Sequence, residues 1–261
     1  MTFFISQKNI AKFVFVYIPL TMNEKTEAIV LHAIKHSDTS TILHLLTEKF
    51  GHLAFAVSGI RGKRSRIKAS MLMPLTLLEI DFNNNNKFDL QRISDAKLLH
   101  SFSAIPFDPA RNAIAIFIAE VLHKTQREPN PDPAVFSLVK ETILKLDDPA
   151  VRMGNFHLIF LLRYAAALGF APLADSYSSG LMFNIADGTF GASTSASNLM
   201  LDKDESAALN ALCSLSYDRG SDISIGRQLK KKITLDLMDF FRLHTNERQE
   251  FKSLNVIYEL F

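Results

Sequence analysis

Between Glu24 and about Leu98 the apolar residues come in short runs that alternate with polar ones, the period-2 signature of strands with one buried face. Five such runs can be counted: TEAIVLHAIKH, TSTILHLLTEK, HLAFAVSGI, MLMPLTLLEIDF and KFDLQRISDAKLL. Turn residues separate them at SDTS, at Phe50-Gly51 and at Asn83–Asn86, since asparagine tolerates the left-handed backbone of a tight turn. Five short strands in roughly 80 residues predict a small barrel of the OB type, with another small antiparallel barrel or a sandwich as the alternative.

After SAIPFDP the period lengthens, and Pro106 and Pro109 break both ladder and helix at the change. DPARNAIAIFIAEVLHKTQ opens with Asp108 as N-cap and Pro109 at the first helical position. The same signal recurs at Asp132-Pro133 and at Asp148-Pro149, the latter predicting a helix that ends at Gly169. A Ser/Gly/Ala-rich stretch from Phe170 to Leu201 reads as an irregular excursion, followed by helical patterns in KDESAALNALCSL, SIGRQLKKKITLDLMDFFRLHT and the terminal FKSLNVIYELF. The predicted fold class is α+β: a five-stranded OB-type barrel over 22–104, then an α-helical domain over 105–261. Residues 1–21 hold an apolar run, FVFVYIPL, too short to span a bilayer, and read as an upstream extension with Met22 a candidate start.

Composition adds limits. With 261 residues, 48% apolar and 21% charged, the chain is long enough for two cores and too apolar for extended disorder. A single cysteine, Cys213, excludes an internal disulfide and a cysteine-rich zinc site, and fits a cytoplasmic setting. A net charge of +2 says little, so the clustering of charge matters more than its sum.

The densest cluster is GIRGKRSRIKAS, where Arg61, Lys63, Arg64, Arg66 and Lys68 put five cations into eight positions without an acid. A phosphate-binding P-loop is excluded by spacing, because Val57 stands where its first glycine belongs and Arg64 where its hydroxyl belongs. A polyanion-binding loop needs no fixed spacing, and a solvated charged hairpin is the plain alternative. Phe55, Phe82 and Phe88 are aromatic types able to stack bases on a barrel, although strand aromatics are more often core. His32, His36, His44 and His52 show no cysteine or acidic partner at ligand spacing and read as structural or surface residues. Ser178 and Ser179 lack a nucleophile-elbow pattern, so no catalytic set stands out. A second basic cluster, Arg227, Lys230, Lys231 and Lys232, opens a predicted helix as a solvated face or a further contact to nucleic acid or a partner.

The stretch AIVLHAIKHSDTSTILHLLTEKFGHLAFAVSGIRGKRSRIKASMLMPLTLLEID, with LLRYAAALGFAPL and SLNVIYEL further on, resembles the bacterial recombination-mediator and DNA-repair family RecO over residues 22–261. That resemblance implies an OB domain binding single- and double-stranded DNA, followed by a helical domain, with no catalytic turnover and no cofactor. It implies annealing of complementary strands and, with RecR and in some settings RecF, help for RecA in replacing single-stranded-DNA-binding protein. The acidic, apolar tail of the latter is the expected partner of the helical domain, and the setting is the cytoplasm at the nucleoid. Many members hold zinc with paired cysteines after an LGF-x-P turn. Here Ser176 and Ser179 stand at the first pair and GASTSAS follows, so the metal is expected to be absent and the excursion held by packing alone. An RNA-binding OB protein and a non-catalytic adaptor are the competing classes.

Overall fold

The computed structural model describes residues 22–38, 40–58, 67–84, 89–192, 199–247 and 249–261. Residues 1–21, Arg61, Lys63, Arg64, Arg66 and Phe88 lie outside the described residues.

Strands β1 (Met22–Lys35), β2 (Ser40–Thr47), β3 (Gly51–Ser58), β4 (Leu77–Asn84) and β5 (Leu90–Leu98) form a closed barrel in the order β1-β2-β3-β5-β4. β3 and β5 pair parallel and the other pairs are antiparallel, the Greek-key closure of an OB-type barrel. Closure leaves no open sheet edge, and alternation sends Val30, Leu43, Leu45, Phe55, Val57, Ile80 and Phe82 inward to a core of their own. The opposite face of the same strands supplies Ile29, Leu31, Leu46 and Leu77, and the corner before β4 supplies Leu75, to the core of the helical region. Barrel and helices therefore share a hydrophobic seam.

The helical region holds α1 (Pro109–Thr125), α2 (Pro133–Asp147), α3 (Phe156–Ala167), α4 (Lys203–Cys213), α5 (Arg227–Thr245) and α6 (Leu254–Leu260). Asp108 and Asp132 cap α1 and α2 as their Asp-Pro signals predict, each carboxylate accepting from two backbone N–H groups. Asp202 and Glu205 close a reciprocal capping box on α4.

Three local expectations are corrected. MLMPLTLLEIDF is not one strand: a one-turn 3-10 segment covers Ala69–Leu72 and β4 begins only at Leu77. Pro74 lacks an N–H, and Leu75 turns the corner at φ 64, held there by its N–H on Val30 O at 2.7 Å and by complete burial. Asn83 and Asn84 are strand residues opposite Asn23 and Met22 rather than turn residues, because β1 begins early enough to pair with them. No helix starts at Pro149. Asp148 instead ends α2, and the carbonyls of Leu146, Asp148, Pro149 and Val151 converge on the buried guanidinium of Arg111. A helix over 149–155 would turn the Pro149 and Val151 carbonyls along its own axis, and buried Arg111 would lose acceptors that Asp108, 3.3 Å from its Nε, does not replace. α3 does end at Gly169 as expected, with φ 85 and the paired Gly169 N to Ala166 O and Phe170 N to Ala165 O bonds of a Schellman cap.

The excursion from Phe170 is more ordered than its composition suggests. β6 (Met182–Asn184) and β7 (Thr189–Gly191) form a hairpin whose Phe183 and Phe190 are buried in the helical core. Ser176 donates its hydroxyl to Leu173 O at 2.6 Å and accepts from Phe190 N at 2.9 Å, tying the hairpin down.

Candidate nucleic-acid interface

The basic segment is the β3–β4 connection of the barrel. It leaves at exposed Ser58 and returns at Ile67, which is buried in the barrel core with Met71 and Leu72 packed beside it. Those apolar anchors follow from the sequence: IKASML puts Ile67, Met71 and Leu72 on the inner side of a single turn and leaves Lys68 outside. Lys68 is exposed and, among the described residues, makes no ion pair.

Sequence reading missed Arg92. It faces Ala56 across the parallel β3–β5 seam, on the outer side of the barrel, and is exposed. Leu90, 43% exposed, lies opposite Ala54 on the same strip. Small Ala54 and Ala56 leave this strip shallow, and strand parity in LQRISDAK was the one signal that could have singled out Arg92. A cleft of about 530 Å³ lies along the lower part, lined by Phe50, His52, Ala54, Asn84, Gln91 and Arg127 among others. OB barrels meet oligonucleotides on the face of strands 2 and 3 and the loops joining strands 1–2 and 4–5; here α1 covers that face at His44 and His52, leaving the β3–β5 strip open.

Two of the candidate stacking aromatics, Phe55 and Phe82, are core residues instead. Phe55 and Phe82 are fully buried and meet edge to face at 5.2 Å inside the barrel.

The second cluster is engaged within the fold. Arg227 donates to Glu259 O at 2.5 Å and Tyr258 O at 3.3 Å, closing the C-terminal end of α6. Lys231 Nζ stands 5.1 Å from the Tyr258 ring and Lys230 Nζ 5.9 Å from the Phe261 ring. Burial lowers the Lys230 pKa, so its charge is held at a cost where a phosphate contact would favour it. Lys232 bridges Glu205 at 2.6 Å and Asp202 at 3.2 Å, and its pKa is raised by those carboxylates.

The linker between barrel and α1 is fixed by a carboxylate. Asp147 accepts from the N–H groups of Ser103, Ala104 and Ile105 and from the Ser103 hydroxyl, and its Oδ2 lies 3.0 Å from His100 Nε2. Burial pushes its pKa upward, but the backbone donors and His100 outweigh that and hold it down at about 2. Gly51, at φ 66, lets the β2–β3 turn pass so close to Asn130 that an added Cβ would lie 2.4 Å from its carbonyl oxygen. His52 N donates to Glu128 O beside it. Barrel and helices are thus joined at defined polar points as well as by the apolar seam.

No helix among the described residues is long and apolar enough to cross a membrane. The family model "Recombination protein O N terminal" matches residues 22–102, and "Recombination protein O C terminal" matches residues 106–254. DNA repair protein RecO of Bacteroides fragilis is 33% identical over 241 residues, covering 92% of this chain and 100% of the relative. Its counterpart in Phocaeicola vulgatus is 31% identical over 240 residues, with 92% and 100% covered. That of Flavobacterium psychrophilum is 31% identical over 241 residues with the same coverage.

Proposed function

The chain belongs to the RecO family, and on that premise we propose that it acts in DNA repair and recombination by holding DNA backbones and bringing complementary strands together without altering them. The observation that carries this reading is a closed OB-type barrel whose β3–β4 connection places five cations in eight positions, with Lys68 exposed at its described end. Arg61, Lys63, Arg64, Arg66 and Lys68 contact phosphates of single- and double-stranded DNA, and exposed Arg92 is a further cation available to them. Such contacts position a strand without reading its bases. Two strands repel through their phosphates, and neutralising several charges on each lowers the barrier to annealing. Arg227, Lys230 and Lys231 are less suited to that task, since the fold already engages them.

The partners in this reading are DNA, RecR and, in some settings, RecF, with the tail of single-stranded-DNA-binding protein docking on the helical domain and RecA acting downstream. The reaction requires no catalytic turnover, and its place is the cytoplasm at the nucleoid. The test is annealing of complementary oligonucleotides coated with single-stranded-DNA-binding protein, comparing the intact chain with Arg61→Ala/Lys63→Ala/Arg64→Ala/Arg66→Ala. A strongly slowed variant that remains folded is expected. Equal rates would remove the segment from the mechanism, and a preference for RNA over DNA of equal sequence would turn the reading toward an RNA-binding protein.

A further inference from the structure

Four histidines from four elements meet at the seam between barrel and helices. His44 on β2 and His52 on β3 are diagonal neighbours on the outer barrel face, with rings stacked at 5.3 Å. His123, near the C-terminal end of α1, sets its ring 4.6 Å from His44 and 5.7 Å from His52. His32 on β1 pairs with His44 and has its ring 5.0 Å from His123. A register shift between Val30 and His32 brings it there: strict alternation from inward-facing Val30 would send His32 into the barrel.

One ring nitrogen from each of His44, His52 and His123 lies within 4.8 Å of the other two. His44 Nδ1, His52 Nε2 and His123 Nδ1 are buried and have no hydrogen-bond partner. Buried polar atoms are nearly always partnered, so three orphans in one place call for a shared partner. A water molecule donates only two hydrogens, so it answers two imidazole lone pairs and needs the third ring to turn an N–H toward it, whereas a cation answers three lone pairs at once.

We propose that His44, His52 and His123 hold a divalent transition-metal ion of the Zn²⁺ class, with His32 available as the fourth ligand. An all-imidazole set suits zinc, cobalt, nickel or copper, and is poorly suited to magnesium or calcium, which require oxygen. Zinc–nitrogen bonds of about 2.0–2.1 Å in a tetrahedron put ligand nitrogens roughly 3.3 Å apart, a closing that ring rotation supplies.

The surroundings permit the ion. A cleft of about 730 Å³ lined by Leu31, His32, Ile116, Glu120 and His123 among others gives a path from solvent. The nearby cations are answered: Lys124 bridges Glu120 at 2.9 Å, and Arg127 pairs with Glu247. Glu120 also receives the N–H groups of Lys252 and Ser253, so it stays with α6 and leaves the ion to imidazole. The ion would clamp two barrel strands to α1. This site lies at the seam, away from the 170–201 excursion where the family's cysteines would fall.

The test uses the intact chain without a histidine tag, freed of metal and titrated with Zn²⁺ and with Co²⁺ as a spectroscopic probe. One ion per chain is expected, with Co²⁺ absorption in the visible region typical of tetrahedral nitrogen ligation and a Zn²⁺-dependent rise in the melting temperature. His44→Gln and His123→Gln should each weaken binding by about 100-fold or more, since loss of outer partners alone costs 10–100-fold, while His36→Gln should leave it unchanged. In the unsubstituted chain Zn²⁺ should shift the ring ¹⁵N resonances of His44, His52 and His123 and spare His100, His157 and His244, a readout that needs no variant to fold. Absence of stoichiometric binding, binding that survives both substitutions, or shifts confined to other histidines would overturn the proposal.

Discussion

The two sides of the barrel are built on opposite terms. On the seam with the helices the carboxylates and linker amides are answered within the fold: Asp147 collects the linker N–H groups, Glu27 pairs with Lys140 at 2.6 Å, and Gly51 brings His52 N onto Glu128 O. On the open side Lys68 and Arg92 stand exposed without an ion pair among the described residues. A charge that the fold has already neutralised stabilises the fold, and one left in solvent is available to a partner. Substitutions on the seam should therefore move stability, and substitutions on the open side should move affinity.

The sharpest break of the seam is Gly51→Ala. It combines a positive φ with a Cβ 2.4 Å from a backbone oxygen that cannot retreat like a flexible side chain. A loss of about 3 kcal/mol or more is expected in urea unfolding. Gly169→Ala is the control, because its φ is also positive at 85 but nothing lies within 4 Å of the added carbon. It should cost only about 1–2 kcal/mol, the left-handed penalty alone. Equal losses would mean that the close approach at Asn130 contributes nothing.

In the β3–β4 connection, replacing Arg61, Lys63, Arg64 and Arg66 by alanine should weaken single-strand binding about 100-fold near 0.15 M salt and flatten the slope of log K against log salt by about 3. The urea midpoint should stay where it was. A fall in stability with an unchanged salt slope would move this segment to the seam's class.

Asp147→Asn tests the linker anchor and carries a pH signature. The folded pKa of about 2 lies below the ordinary 3.8, so the stabilisation is fully present above about pH 4 and is lost as pH falls through 2. The variant should lose about 2 kcal/mol at pH 7 and show a flatter stability profile between pH 4 and 2. Parallel profiles for the two proteins would show that another carboxylate governs the acid limb.

The sequence made the barrel strands and most helix starts legible and the seam largely not, for a physical reason. Period-2 runs and Asp-Pro caps are local, so barrel and helices can be read within short windows, whereas Arg92 on the open side is marked only by strand parity. Seam partners are far apart in sequence: His123 is a helix residue that nothing local links to His44 or His52, and Ser103 meets Asp147 only after two helices have folded. Misreadings have the same origin. Asp148-Pro149 is a sound start signal, overridden by the demand of Arg111 for carbonyls. The hairpin at 182–191 hides in a Ser/Gly-rich stretch because only Phe183 and Phe190 mark its buried face.

The smallest expected effect concerns the cluster that looks like the open side and behaves like the seam. Arg227→Ala removes a charged donor from Glu259 O and Tyr258 O, leaving the C-terminal carbonyls of α6 to solvent. The site is exposed, so a loss of about 1 kcal/mol is expected, below the usual range for charged hydrogen bonds because water replaces the donor. DNA affinity and its salt slope should not change beyond the effect of one distant positive charge, less than about twofold at 0.15 M salt. Arg227→Lys should restore little, since an ammonium cannot reach two carbonyls in one plane as the guanidinium fork does. If instead the alanine variant keeps its stability and lowers the salt slope by nearly one unit, Arg227 belongs with the open side, and the DNA path runs across both regions.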